Sequence, residues 1–250
     1  MAVETLTTAA ILLRSSPYGE ADRVVSLLGR TSGRIGAIAR GARKSQRRFV
    51  GMGLGALGEA SFRERAGSDL AWLERFEVIE GRLGLGSDLG RMAQAGYVAE
   101  LCDKLCAPHQ PEVQVFDWLN RFLGHLETTG ASSERLRVFE LGLLQRLGLG
   151  PAFDSCVGCG RVDLVNETVR LQPERGGVVC DGCARRGTPL SAPVRRALVA
   201  LSGLDLDQQL DVPLDRDMSA ACRNAIFELL GSHLPGALKS IEFVEKIGGL

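Results

Sequence analysis

Seven cysteines occur in the 250-residue chain, and four of them are spaced for one task. Cys156-Val-Gly-Cys159 and Cys180-Asp-Gly-Cys183 are two Cys-x-x-Cys pairs with twenty residues between them. Two cysteines three positions apart on a tight turn direct both sulfurs at one point, and a second such turn completes a tetrahedron of thiolates, the arrangement of a structural zinc site. Gly158 and Gly182 precede the second cysteine of each pair, where the backbone must bend sharply and present N–H groups to sulfur. Free thiols, two disulfides or a four-thiolate iron centre are the alternatives. Disulfides fit poorly, because Met1-Ala-Val-Glu-Thr has neither the basic nor the apolar region of a secretory signal, so a reducing cytoplasm is expected. Four thiolates around a divalent cation leave a net charge of about −2, and Arg161, Arg185 and Arg186 flank the pairs where they can offset it. With sulfur in all four positions no site remains for water or substrate, so Zn2+ is expected to hold a fold together and not to catalyse.

A second set of residues carries charge. The whole chain has thirty Lys and Arg against thirty Asp and Glu, yet residues 1–65 hold eleven basic against five acidic residues, a net of +6. Arg30, Arg34, Arg40, Arg43, Lys44, Arg47 and Arg48 fall within nineteen residues that contain no acid. Such a run is the electrostatic footprint of a site for a phosphate backbone, although a charge run is more often just a solvated face. Tyr18, Phe49 and Phe62 are the nearby candidates for base stacking, and each fits barrel core or rim equally well. Aromatics make up only 5% of the chain, so binding should lean on phosphate charge, be strongly salt-sensitive and be weakly sequence-specific.

These residues need elements to position them. From Thr5 to Glu80 short apolar runs and alternations are broken by Gly and Ser, a strand pattern. Five strands are expected at Leu6–Arg14, Asp22–Leu28, Arg34–Ala39, Leu57–Arg63 and Leu70–Ile79, with a turn at Pro17-Tyr18-Gly19. Five strands in so short a span predict a five-stranded Greek-key barrel of OB-fold type, with Arg40 to Arg48 in the loop between the third and fourth strands. Gly53-Leu-Gly55-Ala-Leu-Gly58 spells a dinucleotide-binding motif but is followed by strand, and Gly36-Ala-Ile-Ala-Arg-Gly41 lacks the Lys and Ser or Thr of a phosphate loop. Neither supports a nucleotide site.

Near residue 82 the period changes. Ser87 or Asp88 can cap a helix marked by Tyr97, Val98, Leu101, Cys102 and Leu105, closed by Pro108 and Pro111. Phe116, Leu119, Phe122, Leu123 and Leu126 mark a second helix, and Leu136, Phe139, Leu143, Leu144 and Leu147 a third. Each has one apolar stripe to bury, so residues 88–148 predict a small bundle. Cys102 and Cys106 share a helix face and read as core thiols. Gly148-Leu-Gly150-Pro151 ends the third helix, Thr168–Leu171 and Gly177–Val179 suit two short strands between the cysteine pairs, and Ser191–Leu201 and Asp217–Leu230 read as two further helices completing the bundle. The tail Leu238 to Ile247 mixes charge with apolar residues. The expected organisation is an α+β chain: an OB-fold domain at 1–82, a helical domain at 83–150 and 189–250, and a four-cysteine zinc-ribbon module inserted at 151–188. No apolar run approaches the length of a membrane span.

An enzyme finds little support. His109, His125 and His233 stand alone in different elements, in no triad or metal spacing, and no paired carboxylates accompany a nucleophile. The remaining alternative to a DNA-binding factor is a four-cysteine redox or transcription-type ribbon acting through protein contacts.

The helix Arg137-Val-Phe-Glu140-Leu-Gly-Leu-Leu144-Gln-Arg-Leu-Gly148-Leu-Gly-Pro151, running into Cys156-x-x-Cys159-Gly160 and followed by Gly176-Gly177-x-x-Cys180-x-x-Cys183, resembles the bacterial RecO family. Glu20-Ala-Asp-Arg23 and Gly33-Arg-Ile-Gly-Ala-Ile-Ala-Arg40-Gly41-Ala-Arg43-Lys44-Ser45 are similar to that family's strand-to-basic-loop pattern, and the resemblance spans residues 5–230. It implies an OB-fold followed by a helical domain with an inserted four-cysteine zinc ribbon. It also implies a non-catalytic recombination mediator, cytoplasmic and nucleoid-associated, that binds single- and double-stranded DNA and anneals complementary strands. Its implied partners are RecR, single-strand-binding protein, in many bacteria RecF, and indirectly RecA, which such proteins help to load onto coated single strands. Some members lack the cysteines, so the resemblance implies a structural and dispensable zinc; all four are present in this chain.

Overall fold

The computed structural model describes residues 5–164, 167–209 and 214–242. Met1–Glu4, on which the reading of the amino terminus rests, and the part of the tail from 243 onward lie outside the described residues. The chain forms two compact units. One comprises residues up to 131 together with 238–242; the other lies between 132 and 237.

The first unit is a five-stranded barrel with two helices. Its strands are β1 (Thr5–Tyr18), β2 (Asp22–Gly29), β3 (Gly33–Ala39), β4 (Leu57–Arg63) and β5 (Ala71–Glu80). Their order β1-β2-β3-β5-β4 closes on itself through the pairing of β4 with β1, which makes an OB-like barrel. All pairs are antiparallel except β3–β5. Closure depends on β1 being longer than its apolar pattern predicts. Thr5–Ile11 pair with β4, Ala10–Tyr18 pair with β2, and the register shifts between Leu12 and Arg14. A strand bent at such a bulge can serve two neighbours that diverge around a barrel. The strand runs on through Pro17 and Tyr18, and the turn falls after it.

Alternation sets the inside of the barrel. In β4, Gly58, Ala60 and Phe62 are buried while Glu59 and Arg63 are exposed, and Leu12, Leu27, Ile35, Leu73 and Phe76 join the same cluster. Gly58 belongs to this packing and not to a nucleotide loop. A Cβ there would lie 2.5 Å from the Glu77 carbonyl oxygen and 2.6 Å from the Phe76 ring, so only glycine lets β4 and β5 approach so closely.

Two helices complete this unit. Asp88 accepts a hydrogen bond from the Arg91 N–H at 2.9 Å and caps α1 (Leu89–Leu105); α2 (Val113–Thr129) follows. Tyr97, Val98, Leu101 and Cys102 of α1 are buried, as are the five predicted apolar residues of α2. Helix α1 packs on β1, β2 and α2. Cys102 and Cys106 are both buried core thiols, and hydrogen bonding to Cys106 together with burial pushes the Cys102 thiol well up. The described part of the tail docks on α1. The Glu100 carboxylate accepts from the Lys239 N–H at 3.0 Å, the Ser240 N–H at 2.8 Å and the Ser240 hydroxyl at 2.6 Å.

The second unit joins three helices to a ribbon. Ser132 caps α3 (Ser133–Arg146) through the Arg135 N–H, and α4 (Ala192–Ser202) and α5 (Arg216–His233) pack on it and on each other. Helical periodicity marks each apolar stripe but does not say what will cover it: α1 and α2 belong with the barrel, and α3, α4 and α5 with the ribbon. Between α3 and α4 lie β6 (Ala152–Cys156), β7 (Val169–Gln172), β8 (Gly177–Val179) and β9 (Thr188–Leu190), in the sheet order β6-β8-β7-β9. β6 and β9 lie outside the two strands expected between the cysteine pairs: β6 ends at Cys156 itself and β9 follows Cys183. Buried Arg195 of α4 donates to the Phe153 and Leu164 carbonyls at 3.0 and 2.9 Å and ties the ribbon to the helices. Arg137 and Glu140, fully buried on α3, form an ion pair at 3.2 Å with the guanidinium 5.5 Å from the Phe227 ring. No described helix is long and apolar enough to cross a membrane.

Candidate nucleic-acid interface and metal centre

The sequence places seven cations in one stretch, and the fold divides them. Arg30 precedes β3 and Arg34 lies near its start, whereas Arg40 follows its end. A strand of that length separates the two groups by roughly 20 Å. Arg30 makes a two-pronged ion pair with Asp117 of α2, both bonds at 3.1 Å, and that carboxylate raises the guanidinium pKa. Arg34 donates to the Cys106 carbonyl at 3.0 Å and lies 3.7 Å from Asp103 of α1, which also receives Arg14 at 3.2 Å. Both arginines are therefore charge-paired to helices, at the end of β3 remote from the loop, and do not extend the loop's cationic surface.

The other five stay together and have no acidic partner among the described residues. Arg40, Arg43, Lys44, Arg47 and Arg48 all lie on the β3–β4 loop, in its solvent-facing part. The loop begins with the Gly41 N–H donating to the Asp22 carboxylate at 2.8 Å, makes one 3-10 turn over Ala42–Lys44, and ends where the Phe76 N–H of β5 donates to the Arg48 carbonyl at 2.9 Å. Its own arginines brace it. Arg43 donates to the Gly19 and Glu20 carbonyls of the β1–β2 turn at 3.4 and 3.1 Å, and Arg48 donates to the Arg40 carbonyl at 2.8 Å and lies 5.1 Å from the Phe49 ring. The Arg40 guanidinium stacks 3.5 Å from the centroid of Trp72. Those partners are neutral, so the loop is ordered while its positive charge remains available. Arg47 and Arg48 also border a cavity of about 550 Å³ with Thr5, Ser61, Glu74 and Arg75.

The stacking candidates separate in the same way. Phe49 and Phe62 are 5% and 2% exposed and belong to the barrel core, so neither can receive a base; Tyr18, 54% exposed beside the turn that Arg43 grips, can. The aromatic residue that the charge pattern missed is Trp72 on β5. Its position was legible, since Ala71 and Leu73 point inward and Trp72 must point out. What was not legible is that Arg40, thirty-two residues earlier, lies against it.

The four cysteines do converge. One sulfur from each of Cys156, Cys159, Cys180 and Cys183 lies within 4.8 Å of the others, and the Cys159 and Cys180 sulfurs are 3.9 Å apart. A tetrahedral zinc with Zn–S bonds of about 2.3 Å separates its sulfurs by about 3.8 Å, so the quartet fits that ion. Cys156 closes β6 and Cys180 follows β8, which are paired in the ribbon; both are buried, and Cys159 and Cys183 are more open. At Gly158 a Cβ would fall 2.9 Å from the Cys183 Cβ, so the first turn needs glycine to let the second pair close in. The Gly158 and Cys180 N–H groups each donate to the Cys156 sulfur at 3.3 Å. Burial opposes the Cys156 thiolate, yet the N–H groups of Cys180, Cys159 and Gly158 outweigh it and bring the thiol down to about 6. Hydrogen bonding to the neighbouring sulfurs of Cys159, Cys180 and Cys156 raises Cys183 to about 12. Four crowded sulfurs sharing protons are what a thiophilic divalent cation would replace. Arg161 is held by Glu167 beside this cluster.

Comparison with known proteins assigns the architecture. A family model described as "Recombination protein O N terminal" matches residues 1–82, and one described as "Recombination protein O C terminal" matches residues 86–242. The chain belongs to the RecO family. Among its RecO relatives are the DNA repair protein RecO of Anaeromyxobacter dehalogenans strain 2CP-C, 39% identical over 99% of both chains, and that of Myxococcus xanthus, 37% identical over 96% of both. The DNA repair protein RecO of Geobacter sulfurreducens is 32% identical over 95% of this chain and 96% of its own. As a RecO-family chain it has a role in recombinational DNA repair.

Proposed function

We propose that this chain is a non-catalytic recombination mediator that binds DNA through the β3–β4 loop. It would bind single- and double-stranded DNA, anneal complementary strands and assist the loading of RecA onto strands coated by single-strand-binding protein. RecR, and in many bacteria RecF, are the proposed partners, and the site of action is the cytoplasm at the nucleoid. The observation that carries the reading is the set of five cations, Arg40, Arg43, Lys44, Arg47 and Arg48, on one braced loop whose partners are carbonyls and rings. A phosphate backbone supplies the missing counter-charge, and displaced counterions supply the driving force. The contacts are to charge and not to base edges, so affinity should depend steeply on salt and little on sequence. Neutralising the phosphates of two strands on one protein lowers the repulsion that opposes their pairing.

Zinc fits the second unit in a structural role. Cys156, Cys159, Cys180 and Cys183 would hold it as four thiolates, which leaves no open position for substrate. The rival reading, an iron–thiolate redox centre, is separated by colour, because iron held by thiolates absorbs visible light and zinc does not. The test of the whole is fluorescence anisotropy of labelled oligonucleotides over a salt series, with an annealing assay on bare and on coated complementary strands. Tight, salt-dependent, sequence-indifferent binding with accelerated annealing is expected. Absence of binding at low ionic strength would overturn the proposal.

A further inference from the structure

Trp72 has an unusual setting for an outward-facing residue of a barrel. Ala71 and Leu73 on either side of it are buried in the core. Its strand pairs with β3 at Ile38 and with β4 at Arg63, so the residues just past the ends of both neighbours come close to the ring. Arg40, the first residue after β3, lies 3.5 Å from the ring centroid, and Arg65, two residues past β4, lies 4.3 Å from it. Their charged carbons are less than about 8 Å apart. Neither has an acidic partner among the described residues, whereas Arg63 next to them is paired with Glu74 at 2.5 Å. A single arginine over a ring is ordinary packing, as Arg48 at Phe49 and Arg137 at Phe227 show, but Trp72 carries two. This one is covered by two uncompensated cations, beside a cavity of about 360 Å³ lined by Arg63, Glu64, Arg65, Ala66 and Trp72.

That arrangement has the parts of a site for an unpaired nucleotide. Arg65 lies on the β4–β5 loop and Arg43 binds the β1–β2 turn, and these are the two loops with which OB-type barrels grasp oligonucleotides. We infer that Trp72 is the base-stacking platform of this interface, covered by Arg40 and Arg65 until an unpaired base of single-stranded DNA takes the place of one guanidinium, which then turns to the adjoining phosphate. Stacking replaces one cation–π contact with a larger π-face contact, and the released cation gains a charged partner. In a duplex the bases are already stacked on one another, so only the phosphate contacts remain. Trp72 therefore sets the preference of the loop for single strands. This inference rests on the proposal that the β3–β4 loop binds DNA.

Three ligands of equal length separate the two: a deoxythymidine oligomer, an abasic strand with the same phosphates, and a duplex, each titrated into the full chain by anisotropy and by tryptophan emission. Trp118, 2% exposed in α2, is the only other tryptophan and serves as the silent reference. The thymidine strand should quench emission and bind more tightly than the abasic strand. The quench should vanish in Trp72→Phe, which keeps a stacking ring but not the indole signal. Trp72→Ala should weaken binding of the thymidine strand about five- to fifty-fold, and leave the abasic strand and the duplex within about two-fold. A quench that survives Trp72→Phe, or equal binding of thymidine and abasic strands by the wild type, overturns the inference and leaves the loop proposal standing. Failure of the wild type to bind any of the three overturns the loop proposal and this inference with it. The wild-type comparison does not depend on how well Trp72→Ala folds.

Discussion

The β3–β4 loop and the four-cysteine ribbon solve one electrostatic problem in two ways. Each crowds like groups into a few turns of backbone: five cations between Arg40 and Arg48 in the first, four thiols within 4.8 Å in the second. Among the described residues no carboxylate pairs with the loop's cations, and the cation beside the sulfurs, Arg161, is itself held by Glu167. The loop's arginines rest on carbonyls and aromatic rings, and the sulfurs receive backbone N–H groups. The difference lies in burial. Cys156 and Cys180 are closed in by the ribbon, so an ion bound there becomes part of the fold. The loop's cations face water, so their counter-charge can come and go with salt. The comparison teaches that one kind of deficit reads as structure when it is enclosed and as recognition when it faces water.

The comparison breaks first at the four cysteines. If they hold zinc as proposed, Cys156→Ser, or treatment with a chelator, should lower the melting temperature by about ten degrees or more while single-strand affinity stays within about two-fold. Calorimetry, metal analysis and anisotropy on the same preparation check this. Loss of DNA binding in proportion to loss of stability would show that the two regions are not independent.

Next in size is the buried ion pair of α3. Glu140→Ala leaves the Arg137 charge without its carboxylate in an interior with neither residue exposed, and should destabilise the second unit by about 3–5 kcal/mol in denaturant unfolding. Arg43, Lys44, Arg47 and Arg48 changed together to Ala should leave the melting temperature nearly unaltered and weaken single-strand binding about ten-fold or more, uniformly across sequences. The salt slope should fall by about 0.7 for each cation that had met a phosphate. An unchanged slope would remove the loop from the interface. The smallest effect belongs to Arg30→Ala. Its guanidinium is already answered by Asp117, so affinity should stay within about two-fold of the wild type. A loss as large as that from the loop variant would mean that DNA reaches both ends of β3.

Much of this molecule can be read before it is folded. The strands Leu57–Arg63 and Gly177–Val179 have the limits expected of them, and the apolar stripes of α1, α2 and α3 face inward as spaced. The convergence of Cys156, Cys159, Cys180 and Cys183 follows from pair spacing and glycine placement. These are local properties, set by residues within a turn or two of one another. Sequence could not reveal that Phe49 of the loop turns into the barrel, that Arg30 and Arg34 meet Asp117 and Asp103, or that Arg40 and Arg65 close over Trp72. Each of the last two relations joins side chains from separate elements. Period and charge record which residues are available, but the closing of the barrel and the docking of α1 and α2 decide which charges are cancelled within the chain and which are left for a ligand.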